Sequence, residues 1–153
     1  MPGRGDKTVI TNRRARHDYH LLDTWECGLV LHGAEVKSIR EGHANLQDAY
    51  ARVDGGEVWL HGMHVKPYEY SRAELDPVRR RKLLLHAREI AEIARRTGER
   101  GLTLIPTRVY FRDGRAKVEV ALARGKKTYD KRHALAERDA RREAERALKD
   151  RRG

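Results

Sequence analysis

The sequence predicts a mainly β protein: a small antiparallel OB-like β-barrel with short flanking helices and a basic, helix-competent C-terminal tail. Short apolar runs recur along the first four-fifths of the chain, broken by Gly-containing turns. Two of those turns, Asp54-Gly55-Gly56 and Asp113-Gly114, are of the kind that joins paired strands, because Gly accepts the positive φ a tight hairpin needs. From Lys126 onward the composition shifts to Ala, Arg, Glu and Lys, all good helix formers.

Met1–Thr11 carries Pro2, Gly3 and Gly5 without periodicity and reads as a flexible arm. His17–Leu31 places Tyr19, Leu21, Trp25, Leu29 and Leu31 in a broken period of two, with a bend expected near Gly28. Gly33–Glu41 is a short helix, with Val36 and Ile39 three apart on one side. Leu46–Val53 and Val58–Val65 are the strands of the first hairpin, and Pro67 ends the run. Tyr68–Arg81 is polar, contains Pro77 and reads as a loop. His86–Arg96 sets Ala87, Ile90, Ala91 and Ala94 at helical spacing, with Gly98 past the end. Leu102–Phe111 and Lys117–Leu122 form the second hairpin, and Gly125 marks a boundary. Three regions follow: an arm over 1–11, a barrel over 12–125 and a tail over 126–153. In the tail, Ala136, Ala140, Ala144 and Leu148 make a stripe of mostly methyl groups. At ~25 cal/mol per Å² such a stripe cannot offset the entropy of ordering so long a segment. The tail is therefore expected to be disordered when free and helical where a partner supplies contacts.

The 153 residues suit a single domain, and a net charge of +11 favours a polyanionic partner, since each phosphate neutralised releases counterions. No apolar run approaches the roughly 20 residues that span a bilayer. Met1–Ile10 has no charged-then-apolar signal pattern. The single cysteine, Cys27, can form neither an internal disulfide nor a zinc site unaided, and reads as a small buried hydrophobe. A cytoplasmic location, with no membrane partner, is the expectation. The eight His fall into no metal-ligand spacing, and no Walker loop or GxSxG is present, so neither an enzyme nor a cofactor is expected.

Asn12–Tyr19 holds three Arg, one His and one Tyr in eight positions. Arg forks pair with phosphate, and His17 or Tyr19 can stack on a base or bond a 2′-hydroxyl. The other reading is a solvated basic arm leading into a strand. A catalytic His17–Asp18 pair is disfavoured, because adjacent strand residues point to opposite faces. Glu26 is either an outward-facing strand residue or an acceptor for Arg or for RNA base and sugar donors. The run Arg79-Arg80-Arg81-Lys82, set against Leu83-Leu84-Leu85, is a solvated loop or a phosphate contact. Lys117 alternates with Val118 and Val120 and faces outward if the valines face the core. In the tail, Lys126, Lys127, Lys131 and Arg132 surround Tyr129, a mixture suited to phosphate contact and base stacking. Arg138, Arg141, Arg142 and Arg146 alternate with Glu137, Glu143 and Glu145, as on a salt-bridged solvent helix.

Six segments, in order, resemble the SsrA-binding (SmpB) family: NRRARHDY (Asn12–Tyr19), GAEVKSIREG (Gly33–Gly42), DPVRRRKLLLH (Asp76–His86), GLTLIPTRVYF (Gly101–Phe111), GRAKVEVALARGKK (Gly114–Lys127) and YDKR (Tyr129–Arg132). The resemblance implies binding to the tRNA-like domain of transfer-messenger RNA and delivery to stalled ribosomes for trans-translation. It implies further that the body replaces the missing anticodon half and that the tail enters the empty messenger channel at the decoding centre. The implied partners are transfer-messenger RNA, small-subunit ribosomal RNA and, indirectly, elongation factor Tu. Matched position by position, the family's RNA contacts fall on Asn12, Glu26, Leu84 and Lys117, and its decoding segment on Gly125 and Asp130-Lys131-Arg132. With the basic clusters, the expected RNA-binding set is Asn12, Arg13, Arg16, His17, Tyr19, Glu26, Arg81, Lys82, Leu84 and Lys117. The expected ribosome-facing set is Gly125, Lys126, Lys127, Tyr129, Asp130, Lys131, Arg132, Arg138, Arg141 and Arg142. Two other readings are a ribosomal-RNA binder with the same body and tail, and a small ribonuclease using His17 or His20. The ribonuclease needs two acid–base groups at one phosphate, and no spacing supplies them.

Overall fold

The structure is a computed structural model that describes residues 7–71, 74–99 and 101–126. Among the described residues nine strands and three helices run in the order β1 (Lys7–Thr11), α1 (Arg13–Asp18), β2 (Tyr19–Leu29), α2 (Gly33–Arg40), β3 (Ala44–Asn45), β4 (Tyr50–Asp54), β5 (Glu57–His61), β6 (His64–Val65), β7 (Arg81–Leu84), α3 (Ala87–Thr97), β8 (Leu102–Arg112) and β9 (Arg115–Gly125). Seven strands bond in the antiparallel order β1-β8-β4-β5-β7-β2-β9, and β9 pairs back onto β8. The ring β8-β4-β5-β7-β2-β9 is thus closed, which pairs edges that would otherwise recruit another chain, and β1 is added along β8. The seam is narrow, since β4 meets β8 through the single register pair Ala51↔Leu104. β3 and β6 form a separate two-stranded ribbon.

Both hairpins turn where the sequence places them. Gly55 and Gly56 have φ of 61° and 77°, and Asp113 and Gly114 have 51° and 77°. The first pair of strands is shorter than expected. β4 begins at Tyr50 rather than Leu46, and β5 stops at His61. Gly62 explains the stop, since it sits at φ 77° and a Cβ there would lie 2.8 Å from the Asp48 carbonyl oxygen. Helices α2 and α3 fall within a residue of their predicted bounds. Each begins with a carboxylate reaching back to the chain: Glu35 Oε1 accepts from the His32 N–H at 2.9 Å, and Glu89 Oε1 from the His86 N–H at 3.1 Å.

Three expectations need correction. The arm does not run to Thr11: Lys7–Thr11 is β1, paired with β8 and sending Ile10 into the core. Arg13–Asp18 is helix α1, laid on the outside of the barrel, where buried Ala15 packs with Ile105, Ala123, Tyr19 and Leu21. Arg81–Leu84, expected partly as loop, is strand β7 between β5 and β2.

The broken alternation of the first long strand has a structural cause. Between Leu21 and Thr24, β2 advances three residues while β9 moves two, from Ala123 to Ala121. This bulge switches the strand's facing. Tyr19 and Leu21 lie outside under α1, whereas Trp25, Cys27 and Leu29 lie inside. β8 has a matching extra residue at Thr107, beside Pro106, which has no N–H to give a regular ladder. The interior is filled by Trp25, Cys27, Leu29, Ile39, Val58, Leu60, Leu83, Ile93, Leu104, Val109, Val118, Val120 and Leu122. Burial, and secondarily Glu89 and Glu26, push the Cys27 thiol up to about 12, in keeping with a packed, unreactive side chain. Among the described residues no helix is long and apolar enough to cross a membrane.

Candidate nucleic-acid interface

The outer face of β9, β2 and β7 carries three of the four positions matched to RNA contacts. Lys117 on β9 lies opposite Gly28 on β2, and Gly28 lies opposite Leu84 on β7, so the three form one row across the sheet. Gly28 leaves the middle of the row low: a Cβ there would come within 3.1 Å of the Leu84 Cβ. Leu84 is exposed at 53%, unusual for a leucine beside a well-packed barrel. Glu26, two residues before Gly28, shares its face. The row borders a groove of about 670 Å³ lined by Glu26, Leu84 and Lys117, by Val30, Leu31 and Val36, and by His86, Glu89 and Arg115.

Glu26 is held from the β8 side. Its Oε2 accepts from the Tyr110 hydroxyl at 2.6 Å and from Arg112 Nη1 at 2.6 Å. The Tyr110 ring is buried although it lies on the barrel's outer face, because the Arg108 guanidinium covers it at 4.0 Å and that of Arg112 at 5.6 Å from the ring centre. Burial, then the bond to Glu26, raises the Tyr110 phenol, which stays a donor at neutral pH. Arg108 continues the network to Glu119 at 3.6 Å, and Glu119 also accepts from the Thr107 hydroxyl. The sequence reading missed Arg108, Tyr110 and Arg112. Their alternation along one strand places all three on a single face, and that was the available signal.

Asn12 is not part of this groove. It is buried at the start of α1, where its Nδ2 donates to the carbonyls of Pro106 at 2.9 Å and Leu46 at 3.3 Å. Its backbone N–H donates to Thr107 O at 2.8 Å. It therefore clamps α1 and β1 to the β8 bulge, and its Oδ1 is buried without a partner among the described residues. A second groove of about 520 Å³ lies beside it, lined by Asn12, Arg13, Arg16, Thr107, Arg108 and Glu119. Arg108 also lies over Tyr110, which bonds Glu26 of the first groove, so the two grooves share one outer wall. His17 is exposed at the end of α1, with Nδ1 2.8 Å from Asp18 Oδ1. The two residues lie on a helix rather than a strand, so the facing argument against their pairing does not hold. The contact is open to solvent, with the His17 side chain 83% exposed. Tyr19 is half-buried against α1.

The cluster Arg79–Lys82 is largely committed within the protein. Arg81, expected to contact RNA, is fully buried and points inward. Its Nε donates to Glu35 Oε2 at 2.8 Å, Nη1 to Met63 O at 2.6 Å and Nη2 to Pro77 O at 3.1 Å. It is a structural cation, and no phosphate can reach it. Arg79 pairs with the same Glu35, and Arg80 lies over the Trp59 ring at 4.0 Å and beside Asp54 at 3.4 Å. Lys82, half-exposed, faces outward with Leu84 and pairs with Glu57 at 2.9 Å. Burial pushes the Glu35 carboxyl up, but the bonds from Arg79, the His32 N–H and Arg81 outweigh it and hold the group below the usual carboxylate range. Burial lowers the Arg81 guanidinium against the opposing pull of Glu35.

Gly125 ends β9 opposite Tyr19, and Lys126 Nζ donates to Arg16 O at 3.0 Å, so the chain leaves the barrel beside the basic helix α1. Lys127, Tyr129, Asp130, Lys131, Arg132, Arg138, Arg141 and Arg142 lie outside the described residues. Among the described residues no cluster of His, Cys, Asp and Glu could hold a metal.

A closed antiparallel barrel with a cation-rich outer wall defines a class: small OB-like binding modules. The comparisons make the class specific. The SmpB protein family model matches residues 9–150. The SsrA-binding protein of Thermobifida fusca is 58% identical over 98% of this chain and 94% of its own. That of Bacillus cytotoxicus is 52% identical over 99% of this chain and 98% of its own. A chain solved in work described as "tmRNA-SmpB: a journey to the center of the bacterial ribosome" superposes with a TM-score of 0.66 at 47% identity, covering 76% of this chain and 83% of the other. The chain belongs to the SmpB family.

Proposed function

We propose that this protein binds the tRNA-like domain of transfer-messenger RNA and delivers it to stalled ribosomes for trans-translation, acting in the cytoplasm as a binding protein rather than an enzyme. The observation that carries the reading is the convergence of Glu26, Leu84 and Lys117 on one groove. Lys117, in no ion pair among the described residues, supplies a cation to a phosphate. Leu84 offers an exposed apolar face to a base or ribose. Glu26, an acceptor only, takes hydrogen bonds from base N–H groups or a 2′-hydroxyl. Arg13, Arg16 and His17 on α1, with Lys82 at the groove's far side, extend phosphate contact beyond it. The tail, leaving at Gly125 and Lys126, occupies the empty messenger channel at the decoding centre through Lys127, Tyr129, Asp130, Lys131, Arg132, Arg138, Arg141 and Arg142. Elongation factor Tu takes part only indirectly, through the RNA.

The test assays two activities on full-length variants. Lys117→Ala should weaken binding of the tRNA-like RNA and lower the slope of log affinity against log salt by roughly 0.7–0.9. Ala140→Pro, which costs a helix ~3 kcal/mol, should leave that binding intact and abolish tagging of stalled peptides. Copurification of ribosomal RNA without transfer-messenger RNA would overturn the reading in favour of a ribosomal-RNA binder.

A further inference from the structure

We propose that Tyr110 is a positioning residue for RNA recognition: its hydroxyl, with Arg112, aims the Glu26 carboxylate into the groove to receive a donor edge of the RNA. The inference rests on the reading of the groove as the RNA interface.

A carboxylate on a chain of net charge +11 repels phosphate, so at this point the RNA must present base or ribose rather than backbone. An exposed Glu on a strand ordinarily samples several rotamers, and each unproductive one weakens binding. Here two donors from one strand, the Tyr110 hydroxyl and Arg112 Nη1 of β8, reach across β9 and converge on the same oxygen, each at 2.6 Å. An ionised carboxylate offers about four lone-pair sites. The two protein bonds use Oε2 and leave acceptor capacity for a ligand. Tyr110 can do this because it is itself immobile, 1% exposed beneath Arg108 and Arg112. Packing alone does not require the hydroxyl, since a phenylalanine would fill the same space under the same guanidinium groups. Among the described residues the hydroxyl donates to Glu26 alone.

The test is a double-mutant cycle on the full chain, reading affinity for the tRNA-like domain of transfer-messenger RNA in wild type, Tyr110→Phe, Glu26→Ala and the double variant. Tyr110→Phe should bind about tenfold more weakly, as expected when a charge-assisted bond that orders the acceptor is lost. Its melting temperature should stay within a few degrees of wild type. Glu26→Ala should lose at least as much, and the double variant should match Glu26→Ala, because Tyr110 acts only through that carboxylate. An unchanged Tyr110→Phe, or losses that multiply in the double variant, would overturn the proposal. Lys117→Ala separates the two levels. If it weakens binding while Tyr110→Phe does not, the groove is the interface and the positioning role is wrong. If neither changes binding, the groove reading fails and the positioning role with it.

Discussion

Arg81→Met removes a guanidinium with no solvent exposure that holds Glu35 and the carbonyls of Met63 and Pro77. The two carbonyls lose their donor, and Glu35, itself buried, keeps only Arg79 as a charged partner. Breaking a buried ion pair from one side costs about 3–5 kcal/mol. For a protein of this size each kcal/mol moves the melting temperature by about 2–4 °C, so the expected fall is roughly 6–20 °C. Methionine fills part of the vacated volume, which favours the lower half of that range. The assay is urea denaturation followed by tryptophan fluorescence, with Trp25 in the core as reporter, together with RNA binding at a temperature where the variant is folded. The denaturation midpoint should drop with an unchanged slope, while the affinity of the folded protein stays within about twofold. A stability loss below ~1 kcal/mol combined with a tenfold loss of affinity would refute the reasoning, because Arg81 would then be a contact and not a strut.

Glu35 predicts the acid behaviour. Its folded-state pKa lies below its unfolded value of about 4.3, so between the two the unfolded chain binds the extra proton. Its stabilisation is complete above the unfolded pKa and is lost as pH falls through the folded one. The urea midpoint of wild type should begin to decline below about pH 5, and that of Glu35→Gln should decline less steeply; parallel curves would contradict this. Cys27, fully buried and with its thiol pushed up to about 12, should resist a thiol reagent at pH 8 in the folded protein and react fully in denaturant. Rapid labelling of the native protein would show that the barrel opens there.

The hairpins and the two longer helices were legible because their signals are local: turn glycines at fixed offsets, and apolar residues at period two or period three to four. The missed elements have signals that are weak or contradicted. Lys7–Thr11 contains the β-branched run Thr8-Val9-Ile10-Thr11, but it follows a Gly-rich arm and its partner β8 lies about a hundred residues away. Helix α1 buries only Ala15, so there is no periodicity to detect. β7 places an arginine at an inward position, which reads as solvated until Glu35 on α2 is brought to it. The site divided along similar lines. Glu26, Leu84 and Lys117 came from family resemblance, not from composition, because nothing local says that Gly28 lies between Leu84 and Lys117. Once strand facing is assigned, Arg108-Val109-Tyr110-Phe111-Arg112 declares an outward trio, but the bulge at Thr107 sets that facing, and bulges leave little trace in sequence.

The extra residues in β2 and β8 constrain how chains of this kind can vary in length. Deleting Leu22 or Asp23 would reverse the facing of the strand beyond, carrying Glu26 inward and Trp25, Cys27 and Leu29 out to solvent. A deletion at Thr107 would do the same to Val109 and Tyr110. Neither strand can gain or lose one residue without dismantling both the interior and the wall of the groove. Insertions and deletions over evolutionary time should therefore gather in the long connection between β6 and β7 and at the Asp113-Gly114 turn. The residue count from Tyr19 to Gly28, and from Leu104 to Tyr110, should hold fixed even where the identities drift.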